Sequence, residues 1–190
     1  MNKWSLRSLA LLLTLVGGLV HAESPAPLPD DSVYHLNSQW LDQDSKSISL
    51  ASLAGKQQIV ALIYTHCMHA CPTIVAVLQQ IERQLPEDVL ADTGFVLVSL
   101  TPGSDTPATL KTFAEKRQLS PTRWTLLTGD PQDVRALAMA LNVRYKRSED
   151  NEVAHSNVFT LLDAEGRIVF QETGDMAKVE STVKRIAAGR

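Results

Sequence analysis

The amino-acid sequence predicts a single α/β domain with a mixed central sheet and helices on both faces. Two observations carry this. Apolar, β-prone runs alternate with stretches whose apolar residues recur at helical spacing, in the order β-α-β-α-β-α-β-β-α. The chain has 190 residues, of which 44% are hydrophobic and 21% charged, enough for one core and too few for two ordinary domains. The same composition excludes collagen-like, low-complexity and disordered classes. No internal repeat or linker divides the chain. A net charge of −3 leaves no basic footprint, so nucleic acid is not an expected partner.

The elements follow in chain order. Trp40 to Leu50 places polar turn residues between two short apolar pieces, as a hairpin does. Gln58 to Tyr64 is nearly unbroken in its apolar character, which suits a central strand buried on both faces. Ile74, Leu78, Ile81 and Leu85 then recur at helical spacing, with Pro72 in the first turn. Phe95 to Leu100 reads as a second buried strand. Thr106-Pro107 opens a helix with Thr106 as its N-cap and Leu110, Phe113 and Ala114 inward. Trp124 to Leu127 is a third strand, and Asp130-Pro131 starts a helix carrying Val134, Leu137, Ala138 and Leu141. Val158–Leu162 and Arg167–Phe170 flank the turn Asp163-Ala164-Glu165-Gly166, and Asp175–Ala188 closes the domain as a helix.

The N-terminus stands apart from this pattern. Lys3 and Arg7 precede an apolar run of 12 residues, Leu9 to Val20, followed by His21-Ala22. A membrane-spanning helix needs about 20 apolar residues, and Gly17-Gly18 weakens this run further. Residues 1–22 therefore read as a signal peptide cleaved after Ala22, with retention as an inner-membrane anchor as the alternative. Residues 23–32, with Pro25, Pro27 and Pro29, read as a flexible leader, and 33–190 as the domain. The expected location is the periplasm, with no transmembrane span once the signal is removed. In an oxidising compartment, two cysteines close in sequence form a disulfide unless they are reduced or bound to metal.

The informative stretch is Tyr64-Thr65-His66-Cys67-Met68-His69-Ala70-Cys71-Pro72, between a buried strand and a helix. Backbone N–H groups and the helix dipole at such a place favour thiolate, the reactive and metal-binding form. Three residues separate the cysteines, which sets their sulfurs about one helical turn apart. Two thiolates suit a soft cation such as Cu(I), and an imidazole would complete the site. His155, just before the Val158 strand, reaches the same sheet edge if that strand runs antiparallel to the Tyr64 strand. Spacing alone leaves other readings open. The cysteines also fit a structural disulfide, His155 an ordinary solvent-facing histidine, and Asp105 a residue supporting a helix start.

Tyr64-Thr65-x-Cys67-x-x-x-Cys71-Pro72, Asp105-Thr106-Pro107, Trp124-x-Leu126-Leu127-Thr128-Gly129, His155-Ser156 and Leu161-Leu162-Asp163-x-x-Gly166 stand in an order that resembles Sco/SenC proteins. These are exported copper proteins needed for cytochrome c oxidase assembly. The resemblance covers roughly Val33 to Ala188. It implies a thioredoxin-like fold and copper ligands at Cys67, Cys71 and His155, binding Cu(I) and also Cu(II). It further implies a copper-receiving partner, either a respiratory oxidase subunit with a dinuclear copper site or another periplasmic copper enzyme, and a thioredoxin-like reductant. The chain departs from the family in carrying Met68 and His69 where Pro and Asp are usual. Leu100-Thr101-Pro102-Gly103-Ser104 also lacks the usual acidic and basic residues. Met68 and His69 are either further copper ligands or drift in an exposed loop. The alternative function is a thiol–disulfide oxidoreductase, with Cys67 and Cys71 as the redox pair. Against a general enzyme of that type stand the CxxxC spacing and the lack of proline in Ala154–Val158.

Overall fold

A computed structural model describes residues 27–66, 70–147 and 153–189. In chain order its strands are β1 (Trp40–Asp42), β2 (Ser47–Ile48), β3 (Gln57–Ile63), β4 (Thr93–Ser99), β5 (Trp124–Gly129), β6 (Tyr145–Arg147), β7 (Val153–His155), β8 (Val158–Leu162) and β9 (Ile168–Thr173). The helices are α1 (Ala70–Gln84), α2 (Glu87–Ala91), α3 (Pro107–Lys116), α4 (Pro131–Ala140) and α5 (Val179–Ala188). The expected signal peptide, residues 1–22, lies outside the described residues. No helix among the described residues is long and apolar enough to cross a membrane.

The main sheet has seven strands in the order β2-β1-β5-β4-β3-β8-β9. Strands β3, β4 and β5 run parallel, while β1 pairs antiparallel with β5 and β8 antiparallel with β3. This is the mixed sheet that the sequence predicts. Its centre explains the unbroken apolar run of β3. Ile59, Ala61 and Ile63 face one core with Ile74 and Leu78 of α1, Leu110 of α3 and Ile186 of α5. Val60 and Leu62 face the other core with Val134, Leu137 and Ala138 of α4. A strand covered on both faces has no polar side to alternate with. Each fully buried Val, Leu or Ile side chain among them contributes roughly 1.5–3 kcal/mol relative to exposure.

Local chemistry sets the element ends. Thr106 caps α3 by accepting from Thr109 N–H at 3.3 Å, with Pro107 at the first helical position. The closing helix begins later than its pattern suggests. Asp175 accepts from Ala177 N–H at 2.9 Å and caps a 3-10 turn over Met176–Lys178, so α5 starts only at Val179. The last residues of the expected leader already lie on the domain, where Leu28 packs against the second core and Ser32 is buried.

The turn between β8 and β9 holds Gly166 at φ +84°, where side-chain-bearing residues are strained. A Cβ there would also sit 2.5 Å from the Tyr34 ring. Gly166→Ala is expected to destabilise the domain by about 1–3 kcal/mol, the range for one residue forced into such a region. Urea unfolding measures this, and an unchanged midpoint would contradict the packing described.

Two elements escape sequence reading. Helix α2 spans five residues, too few to show a periodicity. Strands β6 and β7 form a separate antiparallel hairpin of three residues each, with Tyr145 opposite His155. Val143 and Val153 fix this hairpin to the second core. Because β3, β4 and β5 are parallel and β8 is antiparallel, the segments after β3 and β4 and the segment entering β8 meet at one sheet edge. Ligand sites of open α/β sheets form at such carboxyl ends.

Candidate metal centre

Strand β3 leads into Tyr64, Thr65 and His66 at that edge, and α1 opens with Ala70-Cys71-Pro72. Cys71 is the second residue of a 15-residue helix. The first turn of a helix presents its unpaired N–H groups and the positive end of its dipole. Proline is tolerated there because its missing N–H has no partner to lose. Cys67, Met68 and His69 lie outside the described residues.

His155, which the sequence places just before the Val158 strand, is itself the final residue of a short strand, β7. After it, Ser156 donates its N–H to Arg144 O at 2.9 Å, extending the hairpin ladder. Asn157 then exchanges backbone and side-chain bonds with Gly174. The half-buried His155 ring is thus carried on a braced segment. Its centroid lies 6.2 Å from that of Tyr64, edge to face at 81°. Tyr64 precedes Cys67 by three residues, so the distal histidine and the strand leading to the cysteines converge.

The chemistry of His155 follows from its neighbours. Nδ1 lies 3.0 Å from Ser156 O. A carbonyl oxygen only accepts, so Nδ1 carries the proton and Nε2 the lone pair. Metal-binding histidines commonly have their other nitrogen held this way. Burial holds the His155 pKa below its ordinary value, and the bond to Ser156 O opposes this only in part. The imidazole is therefore neutral at neutral pH, the form a metal requires. An NMR titration of the metal-free protein is expected to place the His155 midpoint below 6.5; a midpoint above that value would contradict the burial described.

The sequence assigned Asp105 to a helix start, but Thr106 performs that capping. Asp105 instead points inward, with no solvent exposure. Its Oδ1 accepts from Thr65 Oγ1 at 2.6 Å. Its Oδ2 accepts from Ser99 Oγ at 2.7 Å, Thr101 Oγ1 at 2.9 Å and Thr65 N–H at 3.2 Å. This carboxylate ties the end of β4 to the segment that enters the cysteine pair. Thr65 and Asp105 are the functional candidates that sequence reasoning missed. The available signal was Ser99, Thr101 and Asp105 close together after a buried strand, hydroxyls and a carboxylate that a buried site must pair.

Two thiols and a neutral imidazole form a donor set suited to soft copper, and a histidine held at its other nitrogen suits that role. The sequence profile of the SCO1/SenC family matches residues 32–188. The SCO1 protein homolog of Bacillus subtilis is 29% identical over 136 residues, covering 70% of each chain. Among solved structures, the copper-bound ScoI of Bradyrhizobium japonicum is similar, with a TM-score of 0.66 and 26% identity over 78% of this chain and 96% of that one. BsSco, described as having a disulfide switch and as a member of the Sco family of cytochrome c oxidase assembly proteins, gives a TM-score of 0.66 and 26% identity. That match covers 80% of this chain and 92% of the other. The fold is that of these thioredoxin-like Sco proteins, and with nearly all of its described domain matched, the chain belongs to the SCO1/SenC family.

Proposed function

We propose that the chain is an exported copper carrier. It holds one copper through the Cys67 and Cys71 thiolates and the His155 imidazole, and delivers it to a respiratory copper enzyme, the dinuclear copper site of cytochrome c oxidase. The observation that carries this reading is the approach of His155 to Tyr64 at the carboxyl edge of β3. That approach sets a neutral imidazole beside the residue three before Cys67, a placement that a structural disulfide does not need. Copper bound in ScoI and the assembly role of BsSco support the metal and the recipient. Residues 1–22 act as the export signal, which fits delivery to a periplasmic face of the oxidase.

A second reading is favoured by one observation, the disulfide switch of BsSco. Here Cys67 attacks a disulfide of the recipient and Cys71 resolves the mixed disulfide, leaving the recipient's cysteines reduced and this chain oxidised. A thioredoxin-like reductant then restores the dithiol.

The two readings separate at His155. His155→Ala is expected to weaken Cu(I) binding by about 10–100-fold or more, since loss of even a supporting partner costs that much in metal sites. The same variant is expected to retain thiol–disulfide exchange, followed by alkylation and mass measurement. If His155→Ala binds Cu(I) as tightly as the wild type, the ligand assignment is wrong.

A further inference from the structure

Thr65 and His66, which follow Tyr64, line a cleft of about 560 Å³ whose opposite wall is the outer side of α3. Lys116 and Arg117 stand on that wall. Among the described residues no acidic side chain lines the cleft, and neither cation makes an ion pair. Arg117 is half-buried, with its guanidinium carbon 5.1 Å from the centroid of the Phe113 ring. Gln79 Nε2 donates to the Arg117 carbonyl at 2.8 Å. The Arg117 charge is thus held in place before any ligand arrives. Lys111, on a neighbouring side of the same helix, is instead paired with Asp44 at 2.8 Å. Two unpaired cations on one wall are a local feature, because the whole chain carries a net charge of −3.

The shape and the polar groups of the cleft select among anions. From Ala108 to Lys116 the helix rises about 12 Å, at 1.5 Å per residue. That is the length of about four residues of extended chain. Helix α3 starts two residues after Asp105, which is bonded to Thr65 and Ser99 at the sheet edge. The two cations therefore lie toward the end of the cleft farther from that edge. The hydroxyl hydrogens of Thr65 and Thr112 are donated inward, to Asp105 Oδ1 at 2.6 Å and Ala108 O at 3.0 Å. Toward a ligand these side chains offer lone pairs alone. An extended acidic peptide answers both sets, with carboxylates for the cations and backbone N–H groups for the hydroxyl oxygens. A small inorganic anion is too short to span them. We infer that the cleft is a docking groove for an extended acidic segment of a partner protein, which leaves the edge where Tyr64 and His155 meet open to the rest of that partner. That the partner is the copper-exchanging one rests on the reading proposed above; the groove stands on its own residues. Exposed charge pairs add little affinity each, so the groove serves encounter and orientation.

The test is an NMR titration of the ¹⁵N-labelled protein with an acetylated, amidated hexaglutamate peptide, beside hexaglutamine and inorganic phosphate. Hexaglutamate is expected to shift the amide signals of Thr65, His66, Thr112, Lys116 and Arg117, and hexaglutamine to leave them in place. Arg117→Ala is expected to weaken hexaglutamate binding about two- to fivefold, the range of one exposed charge pair. Lys116→Glu, which keeps the contact of Arg117 with Phe113, is expected to weaken it about tenfold, because a like charge then faces the peptide. Lys111→Glu changes the net charge equally on the neighbouring side of α3 and is expected to leave binding within about twofold of wild type. Equal losses in Lys116→Glu and Lys111→Glu would mean diffuse attraction and would overturn the inference. So would wild-type affinity in Lys116→Glu, or phosphate that shifts the same signals and displaces the peptide at equal concentration. A chelator competition for Cu(I) on the same samples keeps the two readings apart. Lys116→Glu is expected to bind Cu(I) as the wild type does. A wild type that holds the peptide in the cleft but binds no Cu(I) would overturn the copper reading and the partner's identity, and not the groove.

Discussion

Replacing Cys67 or Cys71 with serine is expected to abolish tight Cu(I) binding. A serine hydroxyl is a hard, neutral donor at neutral pH, whereas thiolate is soft and charged, the combination Cu(I) selects. The effect should exceed the roughly 10–100-fold loss that follows removal of a ligand's supporting partner. Position adds to it, because the second residue of α1 sits where the helix dipole and unpaired N–H groups favour negative charge. The proposed Cys71 thiolate would gain from that position, and a serine there would not. The fold should survive, since the cores on both faces of the sheet draw on other residues. Circular dichroism with a chelator competition assay tests both halves of the statement. Retention of wild-type affinity in either variant would contradict it.

Asp105→Ala is expected to cause the largest loss of stability among single changes at the sheet edge. The carboxylate accepts four hydrogen bonds, from Thr65 twice, Ser99 and Thr101. Removing it leaves those buried donors unpaired, at about 1–3 kcal/mol for each that neither rotation nor water can satisfy. Relief from burying a charge works the other way, so a net loss of at least about 3 kcal/mol is expected rather than the full sum. Ser104→Ala is the matched control. Ser104 is exposed and its hydroxyl makes one long bond of 3.4 Å to Thr101 O, so a change within about 0.5 kcal/mol is expected. Urea denaturation of both variants measures the difference. Equal midpoints would mean that Asp105 does not hold the edge together.

The central part of the fold was legible because its physics is local. Strand β3 lies buried on both faces and reads as an unbroken apolar run, and α1, α3 and α4 repeat at 3.6 residues. Thr106-Pro107 announces its helix by a cap and a fixed φ. The β6–β7 hairpin was invisible, since strands of three residues carry too little alternation to register. The place of His155 turned on a nonlocal fact, the antiparallel pairing of β8 with β3, which the sequence could state only as a condition. Asp105 was misread for a related reason. Its neighbour Thr106 satisfies the helix start; Ser99 and Thr101 stand near it in sequence, but nothing there shows that Thr65, forty residues earlier, supplies two of its four donors.

The measurement that bears most directly on the central claim is an anaerobic competition titration of the reduced domain with Cu(I) and a chromophoric chelator, wild type beside Cys67→Ser and His155→Ala. The expected result is one tight equivalent, lost with Cys67→Ser and weakened with His155→Ala. Weak or absent binding by the wild type, or affinity indifferent to both substitutions, would contradict the claim and leave a thiol redox protein in its place.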